Sequence, residues 1–461
     1  MIELSQKGMV AAFRKTCEGL KDPRKKGNNL QYSLVNVWSS GFAVTFFQSP
    51  SFLAFQRLME LNRGKNNVRS LFKVTDIPTD DQIRNVFDMT EQEDLERIYA
   101  FFFTLIFAFE QQGYLKEFRI KELDNTLPVA MDGTDTAFSK VISCKGCLVR
   151  THEDGHKDYS HKMIAPMIVS PYKKGIVLSL PPEIILNTDG SSKQDCEING
   201  AKRNLKRYGK IYEAMRVTFT MDDLYSHEPL CRDILAINCH FISVCKEESH
   251  KTIYEWIKGI CKTYTEEYFE NGKRYTAVYT YALEIPIKDG KDALTVNFFD
   301  VVITASTGKP YHNSFVTCYP LTENKLRALT ACGRAKWRGG NEGHNMLKNH
   351  GPSLSHNFGH GETLSSVMVT LILLSFLMHT ILFFTDHLYI SILTKLSFSR
   401  QTFFRDASAL TRYLPFADFV QLETFMLKGL NNETTQEDLR ELMDQGTAKN
   451  LSPPVVEKAA T

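Results

Sequence analysis

The sequence predicts a mixed α/β fold, on three observations. Residues 1 to about 125 carry apolar stretches broken by turn residues, with no strand alternation, which is the pattern of helices. From residue 126 short β-rich segments separated by turns take over. Two of those segments, Val129–Met131 and Val217–Met221, run straight into an acid, Asp132 and Asp222.

Composition narrows the class without naming a function. The chain has 461 residues, 43% hydrophobic and 23% charged, with a formal net charge of +2. That length holds two to four domains, and the balance is that of an ordinary globular protein. A near-neutral total gives no global argument for nucleic acid, so a DNA-binding surface must come from local basic patches. The ten cysteines are scattered and the N-terminus is polar and basic. The expectation is therefore no secretory signal and a reducing, cytosolic setting. Leu364–Thr385 is long and apolar enough to span a bilayer. It carries Ser365, Ser366, Thr370, Ser375, His379 and Thr380 and lacks basic flanks, so it reads as a buried core helix, with no membrane.

In order, a basic run (Arg14, Lys15, Lys21, Arg24, Lys25, Lys26) opens a helical N-terminal domain, 1–125, either as a DNA arm or as a solvated tail. Pro50-Ser51 and Thr79-Asp80-Asp81 read as helix starts, a serine or aspartate supplying the cap, with NRGKNN (62–67) as a break. After the Asp132 strand, Cys147–His152, Met163–Ser170 and Gly175–Leu180 read as an antiparallel meander. A helix over Gln194–Met215, the Asp222 strand, a helix over Leu230–Ile237 and a strand over Ile237–Val244 follow. Strands, helix, strand, helix, strand, with acids on the first and fourth strands, is the ribonuclease H-like arrangement. The expected fold is thus α/β (α+β), a ribonuclease H-like mixed sheet with flanking helices. It occupies 126–245 and 321–430 and is interrupted by a β-rich insertion over 246–320. Residues 431–461, with few aromatics and a small-residue end, read as a disordered tail.

A third acid, Glu342, lies in GNEGHNMLKNHG, which reads as the start of a helix. Three carboxylates at the ends of separate elements suit a pair of hard divalent cations, Mg²⁺ or Mn²⁺. Asp132 would bridge the ions, Asp222 hold one and Glu342 the other. Asp223 and Asp135 are understudies, the one a cap or turn residue and the other facing solvent.

Several stretches resemble the DDE transposases of bacterial insertion sequences, of the insertion-sequence-four type with a β insertion before the last acid. They are SPSFLAFQ (49–56), MDGTDTAFSK (131–140), CKGCL (144–148), DGSSKQDCE (189–197), MDDLYS (221–226), GRAKW (333–337), NEGHNMLK (341–348) and HNFGHG (356–361). The resemblance covers roughly residues 30 to 430. It implies metal-dependent cleavage and strand transfer of transposon ends into target DNA, by a homodimer on paired ends, in the bacterial cytoplasm at the nucleoid.

The chain departs from that family at one position. The family's last acid follows a Trp-x-Ile-Glu pattern, whereas Trp337-Arg338 is followed here by Gly339-Gly340, which puts glycine where the glutamate belongs. Two residues along a helix turn a side chain by about 200°. Either the helix starts later and Glu342 serves as the third acid, which is the reading taken, or the third ligand is absent and the chain binds DNA without catalysis. A nuclease without strand transfer is the further alternative.

The remaining clusters have bland and functional readings. Lys202, Arg203, Lys206, Arg207 and Lys210 form a helical stripe for phosphates or for solvent, and Arg334, Lys336, Arg338 and Lys348 add positive charge near Glu342. Cys144-x-x-Cys147, with His152, His156 and His161 downstream, has only half of a zinc spacing, and zinc is not expected there. His344, His350, His356 and His360 read as a hydrogen-bonding loop, and Trp256 as core rather than a base-stacking platform.

Overall fold

The computed structural model describes residues 2–25, 30–187, 196–270, 272–306, 308–356, 358–359, 361 and 363–449. The chain is mixed α/β and divides into two compact units. One comprises Met1–Tyr114, Thr136–Lys145 and Met346–Thr461; the other comprises Leu115–Asp135 and Gly146–Asn345.

The first unit begins with α1 (Gln6–Glu18), α2 (Leu34–Phe46), α3 (Phe52–Glu60), α4 (Asn62–Phe72), α5 (Asp80–Asp88) and α6 (Gln92–Gln111). Both helix starts hold: Ser51 caps α3, while at α5 the cap is Thr79 rather than an aspartate, each side chain accepting from the backbone N–H three residues on. NRGKNN is no break, because it lies inside α4. That helix persists because Val68, Leu71 and Phe72 are buried along it. Its buried Asn67 amide also donates to the Thr411 and Leu414 carbonyls while accepting from the Phe416 N–H. The basic opening is largely structural too. Arg14 donates to Ser39 Oγ at 2.9 Å, and Lys21 pairs with Glu91 at 2.8 Å.

The second unit is built on a nine-stranded sheet. Its strands are β1 (Leu127–Ala130), β5 (Met167–Val169), β6 (Val177–Ser179), β8 (Val217–Met221), β9 (His240–Val244), β10 (Lys262–Glu270), β11 (Lys273–Pro286), β12 (Thr295–Ala305) and β13 (Tyr311–Thr317). Their order across the sheet is β10-β11-β12-β13-β9-β8-β1-β5-β6. β1, β8 and β9 run parallel, whereas β5 pairs antiparallel with β1, and β6 with β5. β2 (Gly133–Ser139) runs on from Asp132. In a smaller sheet β4 (Lys157–Ile164) pairs with β3 (Leu148–Thr151) and with β7 (Glu183–Ile185). The expected meander is corrected accordingly. Leu148–Thr151 has half-exposed faces and leaves for the small sheet, while Met167–Val169 and Val177–Ser179, buried on both faces, join the main one. The strands of the β-rich insertion extend the main sheet, β13 pairing with β9.

Helices α7 (Glu197–Met215), α8 (Glu228–Ala236) and α9 (Lys251–Trp256) connect the strands, and α10 (Glu323–Arg338) packs on β1, β5, β8 and β9. A π-helical turn, Gly339–His344, prolongs α10 into α11 (Asn345–Asn349). Trp256, expected in the core, stands exposed at the end of α9.

The last helices, α12 (Leu364–Thr385), α13 (His387–Lys395), α14 (Arg400–Tyr413), α15 (Phe419–Leu430) and α16 (Gln436–Lys449), belong to the first unit, which corrects the expected grouping of 346–430 with the strands. The reason lies in α12, which is apolar on every side and is met by α2, α5 and α6, a cage supplied by distant chain. It is long and apolar enough to cross a membrane, yet 89% of its most apolar window is buried within the structure. Its hydroxyls are satisfied there, Thr45 Oγ1 lying 2.7 Å from Ser375 Oγ. Residues 436–449, read as tail, are helical and tied back by Lys428–Asp438 at 2.6 Å; 450–461 lie outside the described residues.

Candidate active site

Parallel pairing of β1 with β8 aligns Ala130 with Thr220, and the Met131 N–H donates to the Thr220 carbonyl at 3.1 Å. Each strand then runs two residues further, to Asp132 and Asp222, so the two acids end adjacent strands at the same level. Between them reaches Lys336 of α10, with Nζ 3.1 Å from Asp132 Oδ2 and 3.4 Å from Asp222 Oδ2. Burial raises both acids above the ordinary carboxylate range. Lys336 opposes the rise at each, and Glu197 adds to it at Asp132, as Asp132 does at Asp222. Burial works against the Lys336 ammonium, but the two carboxylates outweigh it and its pKa is raised.

A further acid belongs to this group that sequence reasoning missed. Glu197 opens α7, and any side chain at Gly133 would collide with its carboxylate, so glycine beside Asp132 is what admits it. Tyr225, fully buried, donates to Glu197 Oε2 at 2.7 Å, and Lys162 Nζ lies 3.1 Å from Oε1. Burial and the Glu197 charge push the Tyr225 phenol far up, so it stays a donor. In sequence Glu197 reads only as an acid complementing a helix N-terminus. The one available signal was its place in DGSSKQDCE, of which 189–195 lie outside the described residues.

The understudies are occupied. Asp223 accepts from the Lys246 N–H at 2.7 Å and from Ser249 Oγ at 2.6 Å, facing away from the pair. Asp135 is exposed, 3.7 Å from Lys162 Nζ.

Glu342 is not brought to the two aspartates. The helix carrying it begins at Glu323, so it does not start late, as that reading required. Lys336 marks the face that meets the carboxylates, and position 340, four residues on, returns to that face by the 3.6-residue period. Position 342 is six residues on, roughly 600° around, or about 120° away even before the π turn shifts it further. Among the described residues Asp132, Asp222 and Glu342 do not form a group whose ligand atoms all lie within 4.8 Å of one another, and Glu342 has no ion pair with Lys336; its Oε2 is buried without a hydrogen-bond partner, and its charge acts on Arg338. Gly340, by contrast, has open space where a side chain would stand.

The basic residues divide. Arg203 Nε and Arg207 Nη1 each lie 2.7 Å from the buried Glu183 carboxylate, so two of the five stripe residues clamp α7 to β7. Lys202 lies 3.8 Å from Asp233, and Lys206 and Lys210 are exposed. Arg334 lies over the Tyr311 ring at 4.2 Å, and Arg338 donates to the Pro171 carbonyl at 3.0 Å. Lys348 falls in the first unit. The histidines do not form one loop. His344 is buried near the Ala165 carbonyl, His350 and His356 belong to the first unit, and His360 is outside the described residues. Cys147 is buried with Sγ 3.2 Å from His161 Nε2.

No family model and no curated protein matches the chain.

Proposed function

We propose that the chain is a DDE-type transposase that cleaves and joins DNA at insertion-sequence ends, working as a homodimer on paired ends at the bacterial nucleoid. The observation that carries this is the pair of acids, Asp132 and Asp222, at adjacent parallel strand ends with a single ammonium between them. The sheet order supports it: three antiparallel strands (β1, β5, β6) followed by two parallel ones (β8, β9) on the other side of β1 is a ribonuclease H-like order.

The donor set fits Mg²⁺ or Mn²⁺. Both carboxylates are desolvated, both are raised in pKa, and one lysine leaves the group short of positive charge. Asp132 and Asp222 would hold the ions, with Glu197 beside Asp132. When bound, such ions activate a water or 3′-hydroxyl and stabilise the departing oxygen. The chain's own residues prepare the ground for this. Lys336 holds the two carboxylates together and offers positive charge to a phosphate. Tyr225 and Lys162 fix the Glu197 carboxylate against Gly133, while Lys206 and Lys210 offer the backbone of DNA a sequence-independent hold.

A second reading, a degenerate transposase that binds DNA without cutting it, is favoured by the bare Gly340 and by the placement of Glu342 off the carboxylate face. The test uses duplexes taken from the DNA flanking the coding frame, with Mg²⁺ or Mn²⁺. The transposase reading expects nicked and strand-transfer products, reduced by about 10³-fold or more in Asp132→Asn and Asp222→Asn with DNA binding retained. Nicks without joined products leave a nuclease. Binding without any product leaves the degenerate form.

A further inference from the structure

The hairpin joining β3 to β4 carries a cluster that the carboxylate site does not use. Thr151 pairs with Lys157, and the chain between them turns back through His152-Glu153-Asp154-Gly155-His156. The turn is closed by the His152 N–H on the His156 carbonyl (3.0 Å) and the Gly155 N–H on the His152 carbonyl (2.9 Å), with Gly155 at φ +84°. This fold-back stacks the two imidazoles face to face, 4.0 Å apart and within 8° of parallel. Asp158, at the start of β4, looks into the same space. His152 Nε2 lies 2.6 Å from its Oδ2, and His156 Nε2 lies 4.0 Å from its Oδ1.

We propose that His152, His156 and Asp158 form a binding site for a divalent transition metal of the zinc class. One ligand atom from each lies within 4.8 Å of the other two. Around a tetrahedral zinc, with bonds near 2.0–2.2 Å, donors stand roughly 3.3 Å apart, so the three close on an ion by side-chain adjustment alone. The tautomer is prepared as well. Asp154 holds His156 Nδ1 through its Oδ1, which also accepts the His156 backbone N–H at 3.2 Å. A carboxylate on Nδ1 places the ring proton there and leaves the Nε2 lone pair for a metal, the supporting arrangement that metal-bound histidines usually have. His156 is 44% exposed, which leaves a fourth position open to water. Two imidazoles and one carboxylate select a borderline ion, whereas the all-oxygen group at Asp132 and Asp222 suits a hard one. The chain therefore carries two cation sites of different chemistry in one unit, and the hairpin site acts as a clip on the β3–β4 turn.

The experiment titrates tag-free, metal-stripped full-length protein with Zn²⁺ against a chromophoric chelator, and with Co²⁺ by visible absorption. Wild type is expected to bind an ion that His152→Ala/His156→Ala loses, with a cobalt spectrum lacking the intense sulfur-to-metal band. Asp154→Asn, which keeps all three ligands, is expected to weaken binding about 10- to 100-fold. His156→Gln gives the same reading if the double variant fails to fold. Wild type that binds no zinc, variants that bind as wild type does, or a cobalt spectrum dominated by thiolate would each overturn the site.

Discussion

Two carboxylate groups in the sheet-containing unit, one buried and one partly exposed, are held by basic side chains, and they differ in stoichiometry. At Glu183, whose side chain is 5% exposed, one carboxylate meets two guanidinium groups, each at 2.7 Å. At the strand ends, two carboxylates share one ammonium, a third stands next to them, and both aspartates are raised in pKa by burial. The first group is saturated and serves as a strut between β7 and α7. In the second the two aspartates have only Lys336 between them, while Lys162 takes up Glu197. Similar side-chain chemistry is thus a strut in one place and, in the other, a pair of acids with one ammonium, on which the proposed cation site rests.

That contrast can be sharpened by completing the deficient group. Gly340→Glu adds an acid on the face of α10 that Lys336 presents to the aspartates, and it is expected to tighten Mn²⁺ binding and raise cleavage by about tenfold or more. Glu342→Gln is expected to change either by less than about twofold. Calorimetry with Mn²⁺ and a nicking assay measure both, and the reverse pattern would return Glu342 to the triad. Breaking the strut has the opposite signature. Glu183→Ala strands two guanidinium groups and should lower stability by about 2–4 kcal/mol, below the ~3–5 kcal/mol of a fully buried pair because both arginines are about a third exposed. Urea denaturation reads that loss, while the Mg²⁺ affinity of the folded protein should not move.

Smaller effects follow on the stripe. Lys206→Ala with Lys210→Ala should flatten the salt dependence of duplex binding, measured as log K against log salt, by about 0.9 for each phosphate that is no longer neutralised. Arg203→Ala should show in a melting curve instead. The smallest effect concerns Asp222→Asn. The folded-state pKa of Asp222 is raised, so its charged form destabilises the native chain above the unfolded carboxylate pKa and the penalty fades as pH falls through that range. The variant should melt about 1–3 °C above wild type at pH 7, and the gap should close toward pH 4. A variant that melts lower at pH 7 would mean that the attraction between Lys336 and the Asp222 charge outweighs the cost of burying it.

The same contrast separates what the sequence made readable from what it hid. Asp132 and Asp222 were legible because an apolar run ending in an acid is a local pattern, and both runs are strands buried throughout. Glu197 was not legible, because its approach to Asp132 depends on the missing side chain at Gly133, a contact across 64 positions that no periodicity announces. Lys336 was read only as nearby positive charge. The π turn after Arg338 was hidden as well, since Gly339-Gly340 looks like a helix break but lies inside continuous helix. The long apolar helix was identified as buried, yet its partners α2, α5 and α6 lie more than 250 residues earlier, and a local pattern does not say which unit will enclose it. His152, His156 and Asp158 stood in plain view, but only a closed hairpin brings their donor atoms within 4.8 Å of one another.

The extension of the sheet by β10–β13 also sets a timetable. Lys336 follows Asp222 by 114 residues, and α10 packs on the sheet only after the strands between them have been made. At about 5–20 residues per second of synthesis, the two aspartates precede their ammonium by roughly 6 to 23 s. Nascent chains therefore pass through a stage in which β1 and β8 exist with no lysine between their ends. Pairing β13 with β9 must wait for the intervening hairpins, a long-range closure of the kind that slows folding. The lysine is thus the last of these side chains to be synthesised.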